Sequence, residues 1–266
     1  MPAGDREAEV HGVTPRSCAA LALATLLVSV AGVPVAAWGT GAPVTAAALP
    51  SASPAGQAVL SDERLESRWA YPADRALVYE RPSAKAHTVG RLRLLTEDNF
   101  PEVYLALSRW VDPKGNEWIR VRLPARPNGK TGWVRAEGLG DLRIVRTLLQ
   151  INRKTLRATL YKSGRKIWSA PVGIGKAGTP TPAGHFWIRE KFRVKGVPLY
   201  GTLAIGTSAY APTLSDWPGG GVVGLHGTNQ PYLIPGRPSH GCVRIKNADI
   251  ANLYRLAPVG TPIRII

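Results

Sequence analysis

The chain has 266 residues, enough for one large domain or two modest ones. Hydrophobic residues make up 44% of it and charged residues 20%, which excludes a globally disordered chain. The 28 glycines and 23 prolines favour many turns and short strands over a helical bundle.

The formal net charge of +16 is concentrated in the second half of the chain. Residues 61–140 carry 14 basic and 11 acidic side chains, whereas residues 141–266 carry 18 basic and only 4 acidic ones, a net charge of +14. A charge excess of this size predicts an anionic partner. Nucleic acid, a membrane surface and an anionic polymer such as a cell wall all fit this description.

The amino-terminal residues 1–38 have the pattern of an export signal or a membrane anchor. An apolar run, Leu21–Val30, lies within a long stretch that has no charged side chain. Its length suits both a signal peptide and a short membrane helix, and a buried soluble helix is a third alternative. Gly32 and Pro34 weaken a full membrane span, and Val35–Ala37 offers a small-residue cleavage site.

Residues 39–69 are predicted to be a flexible linker. Of residues 31–60, 26 are Ala, Gly, Pro, Ser, Thr or Val. Such a composition buries too little apolar surface to offset the entropy lost on ordering.

The chain has two cysteines, and their positions differ in meaning. Cys18 precedes the apolar run, which leaves Cys242 as the single thiol beyond it. Exported proteins commonly pair their cysteines, so an unpaired thiol in that position is a candidate reactive group. A small buried apolar residue is the alternative.

Residues 70–140 are predicted to form a small β domain. Short alternating runs at residues 75–79, 117–123 and 132–135 are separated by turn-forming sequences rich in Pro, Asn and Gly. The pattern W-x-x-V at residues 118–121 followed by G-W-V at residues 132–134 resembles the final hairpin of bacterial SH3-like domains. Such modules are often wall- or peptide-binding accessories, although both tryptophans could equally be core.

Residues 141–266 are also predicted to be mainly β. Alternation predicts a three-stranded meander followed by later strands, at residues 143–151, 155–161, 166–174, 185–189 and 222–225. Asn247 is expected to cap a short helix over residues 248–256, and residues 261–266 are expected to form a last strand. Residues 190–221, which include Tyr200, are interpreted as a mobile flap over a cleft.

The candidate chemistry lies in the sequence Ser-His-Gly-Cys-Val-Arg at residues 239–244. His240 precedes Cys242 by two residues and Arg244 follows it by two, so an extended chain would place the three on one face. A nearby cation lowers the pKa of a thiol and favours the nucleophilic thiolate. Gly241 allows backbone N–H groups to approach a substrate oxygen, and His226 lies 16 residues before the thiol.

Two other interpretations of these residues remain open. His226, His240 and Cys242 could bind zinc, although few acidic residues are available to orient the ligands. They could also be a buried thiol with two structural histidines. We expect neither a metal nor a cofactor.

Residues 144–266 resemble the YkuD-type L,D-transpeptidase catalytic domain. The signature of that family is His-Gly, then about a dozen residues, then S/T-H-G-C, a hydrophobic residue and R-x-x-N. It is matched here by His226-Gly227 and by Ser239–Asn247. The T-P-T-P-x-G-x-F motif is matched at Thr179–Phe186, and Asn247–Ile250 matches the sequence before the helix. The resemblance implies a β-sandwich with one or two short helices over residues 141–266.

The resemblance also implies a role for each site residue. Cys242 would be the nucleophile, His226 the general base, and the Gly227 carbonyl would orient His226. The N–H groups of Gly241 and Cys242 would bind the oxyanion. His240 would shape the site. Substrate binding is expected for the residues Ser239, Arg244, Tyr200 and Thr228. From the residues alone, either histidine could be the base.

The implied reaction is peptidoglycan 3-3 crosslinking. The cysteine would form a thioester with a tetrapeptide stem, release D-alanine and pass the acyl group to an amine of another stem. Water as acceptor would make the protein an L,D-carboxypeptidase, and a non-catalytic wall-binding protein is a further alternative. We expect a monomer in the cell envelope, bound to stem peptides and not to nucleic acid, with a membrane contact only through a possible amino-terminal anchor.

Overall fold

The chain folds mainly into β-strands, because its alternating apolar and polar runs are short and are interrupted by glycine and proline. A computed structural model describes residues 56–214 and 220–266, which form eighteen strands, one α-helix and three short 3-10 turns. This confirms the predicted fold class. The predicted export segment 1–38 lies outside the described residues, and no helix within them is long and apolar enough to cross a membrane.

The first eight strands form one sheet in which every neighbouring pair is antiparallel. They are β1 (Gly56–Val59), β2 (Ser67–Ala70), β3 (Leu77–Tyr79), β4 (Thr88–Arg91), β5 (Tyr104–Val111), β6 (Glu117–Arg122), β7 (Thr131–Arg135) and β8 (Arg143–Val145). Their order is β4-β3-β7-β6-β5-β2-β8, and β1 also pairs with β5. The sheet has its own apolar core, which includes Val78, Ile119 and Val134. The resemblance of this region to an SH3-like domain stays a prediction.

The prediction of a flexible linker over residues 39–69 was wrong for its last part. Residues 56–59 form β1 and residues 67–69 lie in β2, and both strands pair with β5. All four residues of β1 are exposed. Backbone hydrogen bonds with β5 therefore order this strand without apolar burial, and composition does not reveal such pairing.

The other ten strands form a mixed sheet. They are β9 (Thr147–Asn152), β10 (Arg157–Lys162), β11 (Arg165–Pro171), β12 (Gly173–Gly175), β13 (Gly184–Arg193), β14 (Leu203–Tyr210), β15 (Val222–His226), β16 (Gly236–Ser239), β17 (Val243–Arg244) and β18 (Pro262–Ile265). Their order is β11-β10-β9-β18-β13-β14-β15-β17-β12-β16. The helix α1 (Asn247–Leu256) contributes Ile250 and Leu253 to a core that the sheet surrounds.

Strand β13 joins the two halves of this sheet. Its first residues, Gly184–Trp187, pair with β18, and its later residues pair with β14. It also contacts the first sheet, because the Trp187 indole N–H donates to the Val103 carbonyl at 2.8 Å. Arg189, which is buried, forms a two-pronged ion pair with the buried Glu102 of the first sheet.

Three predicted elements are divided differently in the structure. The expected strand 143–151 breaks at Arg146. Before it, β8 pairs with β2 in the first sheet, and after it, β9 pairs with β10 in the second. The expected strand 166–174 breaks at Val172 into β11 and β12. The interpretation of residues 190–221 as one flap was also wrong, because β14 occupies residues 203–210 in a hairpin with β13. Alternation continues through Arg146 and Val172, so periodicity does not show that a strand changes partner there.

Candidate active site

The predicted site residues converge on a cavity of about 160 Å³. Six of the nine predicted residues line it, namely Tyr200, His226, Ser239, His240, Cys242 and Arg244. The apolar part of the wall consists of Leu199, Ala211, Leu214, Val222 and Val223. The other three predicted residues, Gly227, Thr228 and Gly241, do not line the cavity.

Parallel pairing of β15 with β17 brings the thiol and the first histidine together. His226 is the last residue of β15 and pairs with Arg244, and the Ile245 N–H donates to the His226 carbonyl at 2.9 Å. Cys242 immediately precedes β17, is half-buried and has no disulfide partner among the described residues. The Gly224 N–H points at its Sγ atom at 3.5 Å.

His226 is held in one orientation and one tautomer. Its Nδ1 atom donates to the Gly227 carbonyl at 2.6 Å, and since a carbonyl only accepts, Nδ1 carries the proton. The lone pair is therefore on Nε2, which is the form that can accept a proton. The Tyr200 ring packs edge-on against the imidazole, with ring centroids 4.5 Å apart.

Burial dominates the electrostatics of this pair. It lowers the pKa of His226 to about 4, against an opposing effect of the Gly227 hydrogen bond, and the Arg244 charge lowers it further. Burial also raises the pKa of the Cys242 thiol, although the Gly224 N–H and Arg244 act in the opposite direction. Both groups are therefore neutral near pH 7. The expectation that neighbouring cations give a net lowering of the thiol pKa was wrong, because desolvation of the thiolate outweighs them.

The loop that carries Cys242 is closed by Ser239. Its buried hydroxyl donates to the Cys242 carbonyl at 2.5 Å and accepts from the Gly241 N–H at 3.1 Å. The Gly241 N–H, predicted as an oxyanion donor, is thus bonded within the loop. The Cys242 N–H has no acceptor within residues 56–214 and 220–266. Gly241 has φ of +127°, a conformation that only glycine adopts easily.

The Thr-Pro-Thr-Pro segment supports this loop from behind. The Thr181 hydroxyl donates to the Gly241 carbonyl at 2.7 Å and accepts from the Gly175 N–H at 2.9 Å. The Ser239 carbonyl accepts from the Lys176 N–H at 3.0 Å. This explains why the segment accompanies the cysteine motif: it fixes the backbone on which Cys242 stands.

Asn247 was wrongly predicted to cap the helix. Its Oδ1 atom accepts instead from the Thr228 N–H at 2.9 Å, and Lys246 is the residue at the cap position. A Cβ at Gly227 would lie 2.3 Å from this oxygen and one at Gly201 would lie 2.5 Å from it. Asn247 therefore fixes the turn after His226, in a space that two glycines leave open.

Thr228 and Arg244 differ from their predicted roles to different degrees. Thr228 is buried and its hydroxyl accepts from the Gln230 N–H at 3.0 Å, so it shapes the turn and does not face the cavity. Arg244 is largely buried, lines the cavity and donates to the Gln230 side chain at 3.0 Å. Its Nε–H has no partner in the described part of the chain.

His240 lies at the cavity with its side chain exposed, unlike the buried His226. Within the described residues, no three His, Cys, Asp or Glu side chains are grouped so that they could hold a metal ion.

Three supporting side chains were not found from the sequence. Thr181 and Asn247 lie inside recognised motifs, but nothing in the spacing of those motifs says which atoms they bond. Gln230, the partner of Arg244, belongs to no motif, and no signal in the sequence points to it.

Comparison with known proteins matches residues 146–265 to the YkuD family model, the L,D-transpeptidase catalytic domain. YkuD of Bacillus licheniformis, provisionally named an L,D-transpeptidase, is 34% identical over 120 residues, which cover 45% of this chain and 64% of that protein. YbiS of Escherichia coli K12, named a probable L,D-transpeptidase, is 32% identical over 137 residues, which cover 44% of this chain and 43% of YbiS. The chain thus spans less than two thirds of each relative.

Among solved structures, the catalytic domain of an Enterococcus faecium L,D-transpeptidase superposes with a TM-score of 0.34 at 23% identity. The superposition covers 45% of this chain and 96% of that one. At this TM-score it adds nothing to the assignment, which depends on the sequence matches.

Proposed function

Because residues 146–265 form a YkuD-type L,D-transpeptidase catalytic domain, we propose that the protein is a peptidoglycan L,D-transpeptidase with Cys242 as nucleophile. The observation that carries this proposal is the fixed His226: its Nδ1–H is bonded to the Gly227 carbonyl, and its ring lines the same cavity as the thiol. A neutral imidazole with a lone pair on Nε2 beside a neutral thiol is a general base in its active form.

In the first half of the reaction, Cys242 Sγ attacks the carbonyl carbon between the third and fourth stem residues. His226 Nε2 takes the thiol proton as the C–S bond forms. The Cys242 N–H donates to the oxyanion of the tetrahedral intermediate. The C–N bond then breaks, His226 returns the proton to the departing amine, and D-alanine leaves behind a thioester.

In the second half, a side-chain amine of another stem attacks the thioester carbonyl. His226 accepts a proton from this amine, the C–S bond breaks, and the sulfur leaves as a thiol once the proton returns to it. An amide replaces the thioester, which gives a 3-3 crosslink. Water as acceptor gives a free tripeptide acid by the same steps, which is the carboxypeptidase alternative.

The charge of the catalytic half supports an anionic partner. Residues 141–266 carry a net charge of +14, and Arg244 lines the cavity. Both suit the stem carboxylates of peptidoglycan, and nucleic acid is not expected. We further propose a monomer acting outside the cytoplasm, with residues 1–38 as the export signal or anchor.

The test is covalent capture by a carbapenem. The full chain is incubated with the drug and digested, and the adduct is located by mass spectrometry, with Cys242→Ser as control. We expect one drug mass on Cys242 and none in the variant, since a serine hydroxyl is scarcely ionised near neutral pH. A folded wild-type protein without an adduct would contradict the proposal and favour a non-catalytic wall-binding protein.

Turnover separates the two enzymatic alternatives. A purified tetrapeptide muropeptide is incubated with the enzyme and the products are resolved by mass. Crosslinked dimers with loss of D-alanine support transpeptidation, and tripeptide monomers alone support hydrolysis. We expect dimers.

A further inference from the structure

The end of β14 that leads into the cavity wall is bonded to the first sheet. The Tyr210 N–H donates to Asn128 Oδ1 at 3.0 Å, and Asn128 Nδ2 donates back to the Tyr210 carbonyl at 2.8 Å. The Arg126 guanidinium lies 4.7 Å above the Tyr210 ring. The Tyr210 hydroxyl donates to Glu97 and accepts from Arg93 Nη2 at 3.2 Å. Four residues of the loops that follow β4 and β6 thus fix one residue of the second sheet.

Arg126 extends this contact into the cavity wall. Its Nη2 donates to the Leu214 carbonyl at 2.9 Å and to the Ala211 carbonyl at 3.3 Å. Both residues line the cavity with Cys242, as does Gly221. A Cβ at Gly221 would lie 2.5 Å from Arg126 Nη2 and 2.0 Å from the Leu214 carbonyl oxygen. Glycine at position 221 is therefore what allows the guanidinium to reach these carbonyls.

The wall held in this way adjoins the nucleophile loop. A Cβ at Gly241 would lie 3.6 Å from the Ala211 Cβ, so Ala211 packs against the residue before Cys242. A displacement of Ala211 would change the space above the thiol. Displacements of about 1 Å in a reacting site can cost up to roughly a hundredfold in rate.

We propose that Arg126 and Asn128 are positioning residues for acylation, acting through Tyr210, Ala211 and Leu214. The loops of the first sheet then help to position the cavity wall, so this part of the chain is not only a separate accessory module. This inference rests on the proposed function. It is distinct from a general role in holding the sheets together, which the Arg189–Glu102 ion pair and the Trp187 contact with Val103 already serve.

The test compares two reactions at the same sulfur. The second-order rate of carbapenem acylation at Cys242 depends on the cavity wall, whereas alkylation by iodoacetamide depends mainly on the thiol itself. Both are measured on the full chain by mass spectrometry of the Cys242 peptide. The variants are Arg126→Met, Arg126→Lys and, as matched control, Arg120→Met. The control removes an exposed arginine of the neighbouring strand β6, whose guanidinium donates to Thr131 and which does not line the cavity.

We expect R126M to slow acylation by roughly ten- to a hundredfold, with alkylation unchanged within about twofold. R126K, which keeps a donor for the two carbonyls, should recover part of the rate, and R120M should match the wild type. If R126M were acylated at the wild-type rate, or if acylation and alkylation slowed by the same factor, the inference would be overturned. Failure of the wild type itself to form an adduct would instead contradict the proposed function.

A second variant keeps the test decisive if R126M does not fold. Asn128→Asp preserves the shape and the acceptor of Asn128 but removes the donor to the Tyr210 carbonyl. Thermal unfolding verifies that the variant is folded. Slower acylation with unchanged alkylation supports the inference, and an unchanged acylation rate overturns it.

Discussion

At the scale of single residues, burial distinguishes the two histidines beside Cys242. His226 is 4% exposed, and its Nδ1–H is fixed on a carbonyl, so its lone pair has a set direction. His240 is exposed. The fixed Nε2 lone pair supports the proposed assignment of proton transfer to His226.

This assignment predicts the order of two substitutions. His226→Ala should reduce carbapenem acylation of Cys242 by at least about a hundredfold, the size of a typical general-base contribution. His240→Ala should reduce the acylation rate by a smaller factor. Rates are compared by intact mass over time on folded variants. Greater loss in H240A than in H226A would transfer the role of base to His240.

The sequence could show the reacting atoms but not their arrangement. Cys242 and two nearby histidines follow from the chemistry of thiols, yet sequence separation favours His240 over His226. The parallel pairing of β15 with β17 brings His226 into the same cavity, and it is a long-range contact that no local pattern reveals. Asn247 shows the same limit: helix propensity favours a cap, whereas its side chain bonds the turn at Thr228.

At the scale of elements, the loop at residues 240–242, which carries Cys242, is held by a neighbouring turn. Thr181 bonds the Gly175 N–H on one side and the Gly241 carbonyl on the other, all of them buried. It therefore joins β12 to the loop before β17. The rigid prolines beside it limit the movement of the turn, because proline fixes φ. The Thr-Pro-Thr-Pro motif can be recognised in the sequence, but its contact with the loop cannot.

Removing the Thr181 hydroxyl should loosen this loop. Thr181→Val keeps the side-chain shape but leaves the Gly175 N–H and the Gly241 carbonyl unpaired. We expect a loss of about 1–3 kcal/mol in the free energy of unfolding, the cost of an unsatisfied buried group. Acylation of Cys242 should slow in parallel.

Thr181→Ser is the matched control, because it keeps the hydroxyl and loses only a methyl group. Urea unfolding and the carbapenem rate are measured for both variants. If T181V behaved like T181S, the hydroxyl would have no role in the loop.

At the scale of the whole molecule, charged groups are buried where the two sheets meet. Arg189 and Glu190 of β13 face the first sheet, where Glu102 pairs with Arg189 and the Thr96 hydroxyl donates to Glu190 at 2.5 Å. The Glu190 carboxyl lies over Gly206, where a Cβ would be 2.3 Å away from it. The mainly-β fold could be predicted from turns and alternation. This junction could not, since charged residues are normally expected on the surface.

Glu190 should make the stability of the junction depend on pH. Burial, together with the neighbouring Asp98, raises its pKa from 4.5 to about 7, against the opposing Thr96 hydroxyl and Arg189 charge. The folded state thus holds this proton more tightly than the unfolded chain. The resulting stabilisation is complete below pH 4.5 and is lost as the pH rises through about 7.

Glu190→Gln stays neutral throughout and still accepts from Thr96. Relative to the wild type, the free energy of unfolding of E190Q should therefore rise by about 1–3 kcal/mol between pH 5 and pH 8.

Urea unfolding at the two pH values measures this difference, because the midpoint and slope give the free energy of unfolding. Glu80→Gln is the matched control: Glu80 is exposed in the first sheet, and its substitution should give the same difference from the wild type at both pH values. An E190Q difference that does not grow from pH 5 to pH 8 would show that Glu190 is already ionised in the folded protein at pH 5. The buried charges would then be balanced by Arg189 rather than by a proton, and the two sheets would hold together equally well across this pH range.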